Sequence, residues 1–191
     1  MLGTNYGYAA VPAGALTLKL STNGVLTGDS TALKIYTGTT VPGAFYTFLL
    51  TDNGAVGALI GIKDSMPIIL PGYYNLRFIN TVAIDSAVTS TGTSTVDIFS
   101  YSRNTTLFNK IPASSFTSFS FLGTNNFVAD TLYVTRTPSV AQGTPPLSGR
   151  VVLAKLALTP IGGRTYTIYY KGDGTLTTGT KARALAYYVN Q

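Results

Sequence analysis

Apolar residues alternate with Thr, Ser and other polar residues in short runs along most of this chain, and the runs are broken by Gly, Pro, Asn and Asp. A period of two predicts β-strands with one face in a core and the other in water. The pattern places strands at 15–20, 31–37, 45–51 and 58–63, and then at 75–82, 95–101, 105–110, 116–121, 132–137, 151–158, 165–171 and 183–189. Alternation is cleanest at Thr95-Val96-Asp97-Ile98-Phe99 and across 115–121 (SFTSFSF), where one face is expected in a core. No segment carries a helical period over three turns. Many short strands with turn signals between them predict an all-β fold of antiparallel β-sandwiches, of the immunoglobulin-like or transthyretin-like kind.

The chain also repeats itself. KIYTGTTVPGAFYTFLL (34–50) returns as KLALTPIGGRTYTIYY (155–170), pairing Lys34 with Lys155, Gly43 with Gly163 and Tyr46-Thr47 with Tyr166-Thr167. Further on, ALIGIKDS (58–65) returns as ALAYYVNQ (184–191). The expected organisation is two tandem β-sandwich domains, 1–66 and 67–191, with the first truncated at its N-terminus. Missing opening strands would expose several hundred Å² of apolar inner face, a cost on the order of 10 kcal/mol. Completion is therefore expected from residues preceding Met1 or from a neighbouring subunit's strand, which would make a homo-oligomer by strand addition. The boundary, Met66 to Gly72 (MPIILPG), holds two prolines and a glycine around Ile68-Ile69-Leu70, and those apolar residues are expected to pack between the domains. The Pro-rich stretch 138–149 is expected to be an exposed excursion.

Composition narrows the chemistry. Charged residues are 10% of the chain, against roughly 25% in an average soluble protein. Glu is absent, and the net charge of +6 comes from 13 basic residues scattered singly, which gives no phosphate-neutralising stripe and argues against a nucleic-acid partner. His and Cys are absent too, which removes the usual general base, the thiol nucleophile and the main transition-metal ligands. Asp52, Asp64 and Asp85 have no acidic neighbour in sequence and read as turn formers. No G-x-x-x-x-G-K-S/T phosphate loop occurs. The expectation is a protein that is not an enzyme and takes no cofactor or metal. No apolar stretch reaches the roughly 18 residues of a membrane span.

Asn75-Leu76-Arg77-Phe78-Ile79-Asn80, followed after a loop by Val96-Asp97-Ile98-Phe99, resembles the family known as domain of unknown function 4397. The family's V-P-A-G-x-x-T-L hairpin is matched at Val11-Pro12-Ala13-Gly14-Ala15-Leu16-Thr17-Leu18, and its G-x-x-Y-T at Gly43 to Thr47 and Gly163 to Thr167. The first copy lacks the R-F-I-N and V-D-I-F strands, and the second has Phe121-Leu122-Gly123-Thr124 in place of V-P-A-G. The resemblance implies tandem β-sandwich domains of an exported Bacteroidetes lipoprotein, at the outer-membrane surface or extracellular, with a lipid anchor upstream as its tie to the membrane. It assigns no reaction. The function it suggests is a noncatalytic module in adhesion or envelope assembly, whose partners are other cell-surface proteins or glycans. A fibre subunit completed by a neighbour's strand and a carbohydrate-binding module are the alternatives.

Two further patterns bear on modification and binding. Four of the seven Asp precede Ser or Thr and then a small or apolar residue, at Asp29-Ser30-Thr31, Asp64-Ser65-Met66, Asp85-Ser86-Ala87 and Asp130-Thr131-Leu132. These triplets are similar to the O-glycosylation acceptor of Bacteroidetes and make Ser30, Ser65, Ser86 and Thr131 candidates; ordinary turn chemistry is the other account. Tyrosine pairs such as Tyr73-Tyr74 and Tyr187-Tyr188 put successive rings on opposite sheet faces. Tyr74 and Tyr187 are the candidates for exposed rings that could stack on a sugar or anchor an interface.

Overall fold

The computed structural model describes residues 9–20, 33–51, 59–68, 70–82, 95–123, 128–138 and 145–190. They form an all-β fold: β1 (Gly14–Leu20), β2 (Lys34–Thr40), β3 (Phe45–Leu50), β4 (Leu59–Asp64), β5 (Tyr73–Asn80), β6 (Thr95–Ser100), β7 (Thr105–Pro112), β8 (Ser115–Phe116), β9 (Ser120–Gly123), β10 (Asp130–Arg136), β11 (Val152–Leu158), β12 (Thr165–Lys171) and β13 (Ala184–Val189).

The strands from β5 onward make two sheets packed face to face. One has the order β11-β10-β6-β7; the other runs β13-β12-β5, with β8 and β9 both on the far edge of β5. Alternation sorts the side chains between the faces. Tyr74, Leu76 and Phe78 of β5 and Tyr166, Ile168 and Tyr170 of β12 point inward against Val96 and Ile98 of β6 and Leu132 and Val134 of β10. Among the described residues every strand pairing is antiparallel except that of β5 with β12, which is parallel. The all-β, antiparallel expectation is met, with this one parallel ladder arising because β12 does not follow β5 by a hairpin but joins its sheet after β10 and β11.

The Asp of V-D-I-F is a buried anchor on the outer face of the β6 sheet. Asp97 Oδ2 lies 3.0 Å from Arg150 Nη1, and Asp97 Oδ1 accepts from Thr137 Oγ1 and the Lys110 amide. Arg150 also donates to Thr135, Thr106 and the Pro145 carbonyl, and its guanidinium lies over the Phe99 ring. The end of the Pro-rich stretch is therefore held down by Arg150 rather than standing free; residues 139–144 lie outside the described residues.

β1 to β4 reproduce β10 to β13. β1 pairs with β2 as β10 does with β11, β3 pairs with β4 as β12 does with β13, and β2 packs against β4 as β11 does against β13. The turns match in detail: the Val41 amide donates to the Tyr46 hydroxyl at 3.1 Å and the Ile161 amide to the Tyr166 hydroxyl at 2.9 Å. Gly43 and Gly163 both take positive φ, 70° and 78°, a conformation costly for any residue with a Cβ. One correspondence differs from the sequence reading. Leu18 faces Tyr36 as Leu132 faces Leu156, so Tyr36 stands in the place of Leu156 and Lys34 in that of Ala154, not of Lys155. A one-residue slip would turn every side chain to the wrong face, and matching the two lysines does that.

Two other expectations are corrected. The strand drawn over 116–121 is two short pieces, because the Thr117 hydroxyl rather than a backbone carbonyl accepts from the Phe78 amide while the Thr117 amide returns to the Phe78 carbonyl. Phe116 and Phe121 are exposed, so that face is not in the core. In the linker, Ile68 is 83% exposed and Leu70 is exposed as well, so neither packs between the repeats; Ile69 lies outside the described residues.

Candidate functional site

The two repeats meet through Arg77, in the middle of β5. Even-numbered residues of β5 face the core, so Arg77 points to the outer face of its sheet, where the β3–β4 hairpin covers it. The Asp64 carboxylate, at the end of β4, approaches within 2.5 Å of Arg77 Nη1, with side chains 0% and 2% exposed for Asp64 and Arg77. Nε donates to Thr167 Oγ1 at 2.8 Å, and Nη2 donates to Thr47 Oγ1 at 3.1 Å and to the Tyr188 hydroxyl at 3.2 Å. The Phe119 ring lies 4.7 Å under the guanidinium. Burying a charge is costly unless it is paired and hydrogen-bonded, and this cage supplies both.

The cage is itself built from the repeat. Thr47 Oγ1 donates to Asp64 Oδ2 at 2.7 Å, and its counterpart Thr167 Oγ1 donates to Asn190 Oδ1 at 2.7 Å. Phe45 faces Asp64 across the β3–β4 hairpin, as Thr165, whose carbonyl accepts from the Asn190 amide, does across β12–β13. One arginine, from a strand the first repeat does not show, bridges both threonines. Asp64 is thus a buried ion-pair partner at a strand end, not a turn former. The twice-present Tyr-Thr pair was the signal in the sequence that could have located Thr47 and Thr167.

The same comparison exposes an open edge. In the second repeat β12 is flanked by β13 and by β5; in the first, β3 has β4 on one side and no strand on the other among the described residues. The Asn75 amide donates to the Arg164 carbonyl and the Thr81 amide to the Tyr170 carbonyl, so even-numbered residues of β12 turn their backbone groups toward β5. By the repeat, Tyr46, Phe48 and Leu50 turn theirs toward the open side. Where Gly163 donates to the Tyr73 carbonyl, Gly43 instead borders an open groove of about 630 Å³ with Ala44, Phe45 and Lys63. The layer between the hairpins is only half closed. Leu16, Leu18, Leu20, Tyr36, Tyr46, Phe48 and Leu50 are all half-buried, whereas the core of the second repeat is fully buried.

Of the sequence candidates, Tyr74 is 1% exposed and is corrected from surface to core: it lies on the inward face of β5, and its neighbour Tyr73 is the exposed ring. Tyr73 stacks on Phe121, with centroids 4.4 Å apart. Tyr187 is 40% exposed. It sits opposite Ile168 on the core-facing side of its sheet, so it forms no row with Tyr73. Burial raises the Tyr74 hydroxyl above its usual value, against the opposing pull of Arg103. Ser65 is exposed, while Thr131 is half-buried within β10. The aspartates before them are engaged, Asp64 by Arg77 and Asp130 by Ser100 Oγ at 2.5 Å and the Ser102 amide. Ser30 and Ser86 lie outside the described residues, as do Asp52 and Asp85. No group of three or more metal-ligating side chains occurs among the described residues. No known protein-family model matches this chain, and no curated protein matches it.

Proposed function

We propose that this chain is a noncatalytic structural module of a bacterial cell surface, acting in adhesion or envelope assembly by joining other polypeptides through its first repeat. The observation that carries the reading is the half-closed layer of β1 to β4, joined to the sheet of β5 by the buried Arg77–Asp64 pair. A surface poor in charge and rich in hydroxyls, and a chain without His or Cys, support a binding rather than a chemical role. The family resemblance supports export, with a lipid anchor upstream as the attachment. Protease treatment of intact cells of the source bacterium, followed by immunoblotting, tests the location. Digestion in intact cells is expected; protection until the cells are lysed would remove the proposal.

The exposed Tyr73–Phe121 stack favours a second reading, glycan binding, since stacked rings in the open suit the apolar face of a sugar. Glycan-array binding lost in Tyr73→Ala would support it, and an array without binding would count against it.

A further inference from the structure

Among the described ladders, register breaks only on the two outer strands of the sheet β11-β10-β6-β7. The central β10–β6 ladder runs unbroken, as do β1–β2, β3–β4, β12–β13 and β5–β12. On β11 the extra residue is Leu153, left between the pairs Val134 with Ala154 and Thr135 with Val152, and it is buried in the core. β7 breaks twice, since its eight residues lie against the six of β6. Ile98 faces Phe108 and Phe99 faces Thr106, so Leu107 is extra, and it too packs against the core. The other break differs. Val96 faces Ile111 and Ile98 faces Phe108, which leaves Asn109 and Lys110 together opposite Asp97, and both are exposed. Lys110 takes a φ of 53°, a left-handed backbone uncommon for a residue with a side chain. Its amide donates to Asp97 Oδ1 at 2.8 Å, and Asp97 is itself fixed by Arg150 and Thr137. This bulge is strained, brings nothing into the core, and is clamped by a buried carboxylate.

We infer that the Asn109–Lys110 bulge closes the β7 edge to strand addition, so that a second copy of this chain does not pair with the second repeat there. An edge strand presents unpaired backbone groups that template another strand, and a bulge, a lysine and a proline are features that blunt one. The end of β7 carries all three, since Pro112 has no amide to donate. By contrast β3, whose ladder with β4 keeps register from Phe45 to Leu50, carries none of them. The bulge acts by geometry. Its extra residue bends the strand and increases the local twist, so the backbone groups on either side of it do not meet one straight partner. Asp97 is thereby a positioning residue for this edge as well as the partner of Arg150. The inference goes beyond the assembly role proposed above and does not depend on it.

Deleting Lys110 leaves Asn109 alone opposite Asp97 and keeps Phe108 opposite Ile98 and Ile111 opposite Val96, so this part of the edge becomes regular. Deleting Asn109 instead does the same with the lysine retained. Lys110→Gly keeps the bulge, since glycine takes positive φ about as readily as negative, and removes the charge. In sedimentation equilibrium the weight-average mass of both deletion variants should rise with concentration more steeply than that of the parent, while Lys110→Gly follows the parent. Backbone amide exchange along β7 of the deletion variants should slow as concentration rises, at alternate residues, because an edge strand turns every second amide outward. In the parent the amides of 105–112 should not slow, a measurement that stands even where a deletion variant fails to fold. Deletion variants that associate no more than the parent, as they would if another segment of the chain lay over this edge, would overturn the proposal. Association without slowing along β7, or Lys110→Gly associating as strongly as the deletions, would overturn it too. So would concentration-dependent protection of β7 in the parent.

Discussion

Asp64 and Arg77 form an ion pair at 2.5 Å with both side chains withdrawn from solvent, and this contact ties the last strand of the first repeat to the first strand of the second. Five donors of the guanidinium fork suit a cage of hydroxyls and a carboxylate better than an ammonium would. The pair matters less for net attraction than for what its loss leaves behind, a buried charge without its partner.

Asp64→Ala should therefore destabilise the protein by about 3–5 kcal/mol, because Arg77 remains buried with only hydroxyls to answer it. Replacing both partners, with Asp64→Leu and Arg77→Met, should recover most of that loss. Urea unfolding of the two variants side by side measures both, and a double variant no better than Asp64→Ala would show that the cage hydroxyls, not the charge, set the cost.

Much of this arrangement was legible in the sequence, for a definite reason. β5, β6 and β12 alternate apolar and polar residues over most of their length, so the strands could be drawn from pattern, although both faces of each are buried. What the pattern lacks is direction. Tyr73-Tyr74 offers two identical residues, and only the identity of the core-facing row, Leu76 and Phe78, determines that Tyr74 goes in. The two lysines at 34 and 155 were a stronger sequence match than the true counterparts Tyr36 and Leu156, which share only apolar bulk and a place facing the other sheet. Asp64 followed by a serine looks like a turn, since its partner Arg77 lies beyond a proline-containing linker. The open edge at β3 could be suspected from the shorter first copy, but which backbone groups face it required the pairing of β12 with β5.

Tyr36 lies across two glycines of the first repeat. A Cβ on Gly38 would meet its hydroxyl oxygen at 2.6 Å, and one on Gly61 would meet its ring at 2.7 Å. Gly38→Ala and Gly61→Ala should each cost about 1–3 kcal/mol through overpacking. In a Tyr36→Leu background both penalties should shrink, because the obstacle is the far end of that side chain. A double-mutant cycle on thermal or urea unfolding checks the coupling; additive effects would mean that the ring does not cause the penalty.

In the second repeat, Arg150→Lys should destabilise by about 2–4 kcal/mol although it keeps the charge. A lysine cannot reach Asp97, Thr106, Thr135 and the Pro145 carbonyl from one planar group, and the buried Asp97 would lose directed partners. Protease sensitivity around Pro145 to Arg150 should rise in the same variant, since Arg150 ties the Pro145 carbonyl to Asp97 of β6. Unchanged unfolding with unchanged proteolysis would show that the network does not hold the segment.

Tyr74 gives the fold a limit on the alkaline side. Burial is the leading cause that raises its hydroxyl above the ordinary 10.0, and the nearby Asp130 adds to it while Arg103 opposes. A folded value above the unfolded one means that the native state holds the proton more tightly. The associated stability is fully present below the ordinary value and is lost as pH rises through the elevated folded one. Tyr74→Phe should leave stability nearly unchanged near neutral pH, apart from its hydroxyl contact with Arg103, and should flatten the decline above pH of about 10. Urea midpoints for both proteins from neutral to strongly alkaline pH measure the difference, and parallel declines would assign the alkaline loss to other tyrosines.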